Sequence, residues 1–179
     1  MEYFDVIESD GNFAGYSLSR DVVHSRGLWH RTVHVWVFNS HNELLIQKRS
    51  LTKEVYPGLW DISCAGHVSA GESNLTAAVR ELHEELGLTV VKDDLSFLFT
   101  VTQKFVNSDK TFIDNELTDV FLLRKDLVID QIQFDENEVI GLKFVPIQML
   151  KDDLTLKSFL FAPHNEEYYK LFTALEPSV

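Results

Sequence analysis

A chain of 179 residues with 45% hydrophobic and 25% charged residues has the size and composition of a single globular domain, residues 1–179, with a full core. Its formal net charge is −12, from 28 Asp and Glu against 16 Lys and Arg. With no Lys/Arg-rich block, this excludes polymeric nucleic acid as a natural partner, because such a partner needs a cationic footprint. No apolar run approaches the roughly 20 residues of a membrane span. The start, "MEYFDVIESDGN", is acidic and lacks the basic-then-apolar order of a secretory signal. The single cysteine, Cys64, cannot form an internal disulfide and suits a reducing compartment. The expectation is a soluble, cytoplasmic protein.

In chain order, alternation of apolar and polar residues predicts strands at 34–38 ("HVWVF") and 43–48 ("ELLIQK"), with the short polar "NSHNE" turning them into a hairpin. A helix follows. It starts at Ser73 or Asn74, either of which can cap it, and stops before Gly87, which suits a helix C-terminus. Further strands are predicted over 95–106, 116–123 and 139–145, and a last helix over 165–175. This order of strands, one strong helix, more strands and a terminal helix predicts an α/β layered domain with a mixed sheet.

The strong helix carries the first chemical signal. At about 100° per residue, Leu75, Ala78, Val79, Leu82 and Leu86 form one stripe. Glu81 and Glu85 lie one turn apart on its flank, with Glu84 beside them and Arg80 further round. A solvated acidic face is the plain alternative. However, like charges at i, i+4 repel, no lysine between Asn74 and Leu86 offsets them, and the helix C-terminus disfavours negative charge. A divalent cation held by carboxylate oxygens would relieve all three problems.

The wider stretch "GHVSAGESNLTAAVRELHEELGL", Gly66 to Leu88, resembles the Nudix box at every fixed position. The resemblance implies a Nudix-type α/β/α sandwich with a mixed β-sheet. It also implies a Mg²⁺- or Mn²⁺-dependent pyrophosphohydrolase that cleaves a small organic diphosphate. Carried over residue by residue, Glu81, Glu84 and Glu85 are metal ligands, Arg80 orients the cluster through Glu72, and Gly66 and Gly87 are structural. The general base stays open between Glu81, Glu84 and Glu138 of "FDENEVIG"; a solvated loop carboxylate is the alternative for Glu138.

The segment from His30 to Ser73 is similar to isopentenyl diphosphate isomerase and the hydrolases nearest to it. In those isomerases a metal is held by three histidines and two acids. The matching positions here are His24, His30, His67, Asp114 and Glu116, although the His24–His30 spacing departs from the pattern. This set forms a candidate second site for Mg²⁺, Mn²⁺ or Zn²⁺. Arg49 and Lys53 stand where that branch binds the substrate diphosphate; an exposed hairpin end is their alternative. Ala65 stands where the isomerase needs a cysteine, and Cys64, one residue early on a strand, points to the opposite face. Hydrolysis of a nucleoside or isoprenyl diphosphate is therefore favoured over isomerisation, with a non-catalytic nucleotide sensor as the third reading. Of the aromatics, Trp36 reads as core, while Tyr56 and Trp60 in "YPGLW" are the candidates to touch substrate. The resemblance leaves a homodimer open, and no membrane partner is expected.

Overall fold

The computed structural model describes residues 1–156 and 160–176. Strands β1 (Tyr3–Ile7) and β2 (Phe13–Ser19) form an N-terminal hairpin that leads into the short helix α1 (Arg20–Arg26). The central strand β3 (Trp29–Phe38) follows, then β4 (Glu43–Arg49), β5 (Trp60–Asp61), β6 (Cys64–His67) and helix α2 (Asn74–Leu86). The long strands β7 (Leu95–Val106) and β8 (Ile113–Arg124), then β9 (Val139–Pro146), α3 (Ile147–Leu156) and α4 (Asn165–Leu175), complete the order.

Two features of pairing position the site. β3 runs parallel to β8 from Trp29↔Asn115 to Phe38↔Arg124 and antiparallel to β6 from Thr32↔His67 to Val35↔Cys64. The hairpin partners β3 and β4, by contrast, are in register at Phe38↔Leu44, and β4 spends its length on β9 and β5. The sheet thus parts beyond the hairpin, and the polar ends of β3, β4, β5 and β6 face one opening.

The two faces of β3 are both apolar near its C-terminal end, as a doubly covered strand requires. Val33, Val35 and Val37 pack with Cys64, Ala77, Ala78, Leu82 and Leu86 under α2. Trp36 and Phe38 pack with Ile46, Val120, Leu150, Tyr168 and Leu171 under α3 and α4. Burying Leu82 and Leu86 contributes about 1.5–3 kcal/mol each, which anchors α2 whatever charges lie on its other side. Its ends are as expected: the Ser73 side chain accepts from the Thr76 N–H, and Gly87 adopts φ 62 as the left-handed terminator.

The structure corrects one detail of α2. Glu85 is not on the flank of the buried stripe but inside it, 5% exposed. Its carboxylate accepts from the Gln47 side chain at 3.3 Å and the Ala65 N–H at 3.4 Å. No helix among the described residues is long and apolar enough to cross a membrane.

Candidate active site

A cavity of about 520 Å³ opens where the sheet parts. One wall is the C-terminal half of α2. There Arg80 is the hub: Nε and Nη2 donate to the two oxygens of Glu72 at 3.1 and 2.9 Å, Nη2 also to the His67 carbonyl at 2.9 Å, and Nη1 to Glu81 at 2.7 Å and Glu84 at 2.8 Å. Helical spacing sets Arg80 further round from Glu81 and Glu84, but the long side chain reaches back to both, and it pairs with Glu72 as the resemblance implied. Part of the like-charge repulsion is thus met within the protein. The Glu72 pairing, against burial, raises the guanidinium pKa still further.

The remaining acidity is high-energy. Burial pushes Glu81 up to about 7, with Glu85 and Glu84 adding to it and Arg80 opposing. Burial raises Glu85 as well, opposed by Lys53. Gly66, on β6, lies directly beneath Glu81, and any Cβ there would coincide with the Glu81 carboxylate.

Because Glu81 is largely protonated below pH 7, a cation taken up there must displace a proton. If a cation binds there, Mn²⁺ affinity should weaken by up to about tenfold per unit as pH falls below 7, and a Glu81→Gln variant should show a shallower dependence, the rest of it coming from Glu85. Titration calorimetry at pH 6, 7 and 8 checks this; a flat profile for the unmodified protein would refute it.

Across the opening, His24, His30, His67 and Asp114 bring one ligand atom each to within 4.8 Å of one another. The three Nε2 atoms and Asp114 Oδ1 are buried without a hydrogen-bond partner among the described residues. Glu116 Oε1 stands 3.9 Å from His30 Nε2 and 3.7 Å from His67 Nε2. These are not ion pairs. Burial drives His30 down to about 4 and His67 well below the usual histidine range, so both rings are neutral near pH 7. Burial, with Asp114 nearby, drives Glu116 the other way.

His30 Nδ1 lies 3.1 Å from the Leu28 carbonyl, which fixes the proton there and leaves the Nε2 lone pair facing the cluster. Phe4 stacks on His67 at 4.5 Å and on His30 at 5.3 Å, and Phe112 on His24 at 4.5 Å. An ordinary core histidine would be satisfied by hydrogen bonds. Converging orphaned acceptors in an apolar shell fit a divalent cation.

The other expected residues are distributed as follows. Arg49 and Lys53 both line the cavity, but Arg49 donates to Asp61 Oδ2 at 2.9 Å and the Val55 carbonyl at 2.8 Å. Lys53 is ion-paired with Glu138, itself a lining residue. Tyr56, at φ 51, turns its ring to the cavity and meets Phe105 edge-on at 5.5 Å. Trp60 is a correction: it is not in the lining. On the two-residue strand β5 its ring instead packs beneath Lys143 at 4.1 Å and Lys48 at 6.0 Å.

Sequence reasoning missed Thr32, His34, Asp61, Gln103 and His164, all in the lining. The signal that was available is the run His30, Thr32, His34 at alternate positions of β3.

Ala65 is in the lining, while Cys64 is fully buried with Ala77 and Leu82. Burial, together with Glu85 and Glu81, pushes the Cys64 thiol pKa well up. The one-residue offset between them therefore places the methyl at the cavity and the thiol in the core.

The parted mixed sheet, covered by α2 on one face and by α3 and α4 on the other, is a layered α/β fold with a carboxylate-lined cavity. A family model for the NUDIX domain matches residues 28–172. The chain belongs to the Nudix family, pyrophosphohydrolases that act on diphosphate-containing substrates and generally need a divalent metal.

It is 40% identical over 176 residues to Nudix hydrolase 3 of Arabidopsis thaliana, covering 96% of this chain but 23% of that protein. It is 31% identical over 160 residues to an isopentenyl-diphosphate Delta-isomerase of Pectobacterium atrosepticum, covering 89% and 83% of the two chains. Among solved structures, a Deinococcus radiodurans protein superposes with a TM-score of 0.65 at 25% identity, over 87% of this chain and 90% of that one.

Proposed function

We propose that this protein is a divalent-cation-dependent hydrolase that splits a small organic diphosphate of the nucleoside or isoprenyl type, using Mg²⁺ or Mn²⁺. The reading rests on one observation: the α2 carboxylates line the same cavity as His67, Asp114 and Glu116, and the orphaned atoms of His67 and Asp114 converge with those of the buried His24 and His30 behind that wall. Glu81, Glu84 and Glu85 would hold one cation, and His24, His30, His67, Asp114 and Glu116 another. A cation bound there supplies Lewis acidity toward the phosphate oxygens.

The chain's own groups do the rest. Arg49 and Lys53 line the cavity as fixed and mobile donors for the diphosphate. Glu84, the most solvent-open of the three α2 carboxylates, takes the proton of the attacking water as its oxygen bonds to phosphorus. The phosphorus–oxygen bond to the leaving group then breaks. Arg80 holds Glu84 in place at 2.8 Å.

The isomerase reading has two supports, the similarity to the Pectobacterium enzyme and the three-histidine cluster. It lacks a proton-transfer group at Ala65, whose side chain is a methyl. A product screen with Mg²⁺ or Mn²⁺ over nucleoside diphosphates, dinucleotides and isopentenyl diphosphate separates these readings. Cleavage that Glu84→Gln abolishes, read as phosphate from a terminal diphosphate or as two mononucleotides from a dinucleotide, supports hydrolysis. Formation of dimethylallyl diphosphate without phosphate release would replace it with isomerisation, and binding without turnover with a sensor.

The histidine cluster has its own check. A His67→Ala, Glu116→Gln double variant, folded by circular dichroism, should lose one equivalent of bound metal by elemental analysis. Unchanged metal content would remove the second site from the proposal.

A further inference from the structure

Asp61 and His164 line the cavity and belong to neither cation site. Backbone pairing brings them together. Asp61 ends the two-residue strand β5 opposite Gln47 of β4, so Arg49, two residues further along β4, is its diagonal neighbour on the same face. On the other edge of β5 the segment before α4 zips onto the strand: the Trp60 N–H donates to the Leu160 carbonyl and the Ala162 N–H to the Trp60 carbonyl, each at 2.8 Å. Glu167 pins the helix that follows, with Oε2 2.7 Å from His34 Nδ1 and Oε1 accepting from Trp36 Nε1 at 2.7 Å. His164, between these two anchors, is set against Asp61.

The side-chain contacts then form a chain that ends on Arg49. His164 Nδ1 is 2.9 Å from Gln103 Oε1, and its Nε2 is 2.9 Å from Asp61 Oδ1. Both ring nitrogens thus face acceptors, the surroundings of a charged imidazole. Burial opposes the proton, but Asp61 outweighs it and raises the His164 pKa. Asp61 is 2% exposed, and a carboxylate so buried needs donors. Oδ1 accepts from His164 and from the Ile62 N–H at 2.8 Å, and Oδ2 accepts from Arg49 Nη1 at 2.9 Å. Burial works against the Asp61 charge; His164, then Arg49, overcome it and hold the carboxyl below the usual carboxylate range. Arg49 Nε donates to the Val55 carbonyl at 2.8 Å. Two bonds in different directions fix a planar guanidinium, and Nη2 is its one nitrogen without a partner among the described residues.

We infer that Asp61 and His164 are a positioning pair for the diphosphate: His164 steadies Asp61, and Asp61, together with the Val55 carbonyl, orients the Arg49 fork so that Nη2 is kept for a phosphate oxygen. Neither residue touches the reacting atoms. With the pair intact, the arginine meets the anion without giving up further rotamer freedom, which lowers the cost of binding. Without His164, the buried Asp61 loses a charged donor and with it the hold on Arg49. The inference rests on the diphosphate reading of the same cavity and adds the groups that aim its cationic donor.

The test is calorimetric binding of imidodiphosphate, a pyrophosphate analogue with an NH bridge, in saturating Mg²⁺. His164→Phe, which keeps a flat ring but no donor, and Asp61→Asn should each weaken it at least about tenfold, with Mn²⁺ affinity in the absence of the analogue unchanged. His164→Gln, which keeps an N–H for Asp61, should recover most of the loss. In an Arg49→Lys background, where the fork is gone, neither His164→Phe nor Asp61→Asn should weaken binding further. Unchanged binding in His164→Phe, or an equal loss in both backgrounds, overturns this inference alone. If His164→Phe does not fold, Asp61→Asn decides by the same two criteria. Failure of the unmodified protein to bind imidodiphosphate overturns the diphosphate reading with it.

Discussion

Exchange of Glu84 for glutamine should lower kcat by roughly 10³-fold while leaving the thermal midpoint almost unchanged. The side chain is 56% exposed, so its replacement creates no cavity, and the glutamine oxygen can still accept from Arg80. What disappears is the negative charge and the ability to take a proton. With Mg²⁺ raised to saturation, to offset the cation ligand that is lost, the loss should therefore fall on kcat rather than KM. Glu138→Gln is the comparator. If that variant loses the rate and Glu84→Gln keeps it, the base belongs to the loop before β9 and not to α2.

Gly66→Ala should cost roughly 10²-fold in kcat/KM, the scale of a small misplacement of a positioned group. The backbone at Gly66 is not left-handed, so alanine meets no conformational barrier, and the protein should fold with near-normal stability. The added methyl, however, occupies the place of the Glu81 carboxylate. Glu81 must swing away from β6, and its 2.7 Å bond to Arg80 goes with it. Steady-state rates and Mn²⁺ affinity measured together check the idea. Loss of both with an intact melting curve is the expected pattern, whereas full activity would mean that Glu81 is dispensable or has another productive rotamer.

Much of the frame was legible because it rests on local rules. The α2 boundaries follow from Ser73, Gly87 and a helical stripe, and 95–106 and 165–175 are the observed limits of β7 and α4. The N-terminal hairpin was not, because β2 is largely exposed and lacks a clean alternation. β5 is two residues long and β6 four, too short for any period to register, yet β6 carries Ala65, Gly66 and His67 into the site.

The box carboxylates were visible as an electrostatic anomaly within one helix. The arginine hub was only half visible, since a long side chain can reach partners that helical spacing does not bring together. Asp61, Gln103, His164 and Glu167 were invisible for a different reason. Each is an unremarkable polar residue in its own segment, and only the tertiary pairing of β3, β5, β7 and α4 turns them into one network.

That network has a consequence for how the molecule is made. The groups that complete the far end of the cavity, His164 and Glu167, arrive with the last helix, whereas the box and the histidine cluster come from earlier segments. During synthesis the carboxylate wall of α2 can assemble while the opposite end is still open to water. The far end closes only when α4 docks and the Glu167 carboxylate reaches His34 and Trp36. A chain that stops short of α4 would therefore leave His34 and Trp36 without the carboxylate that satisfies both of them, and the cavity open on that side.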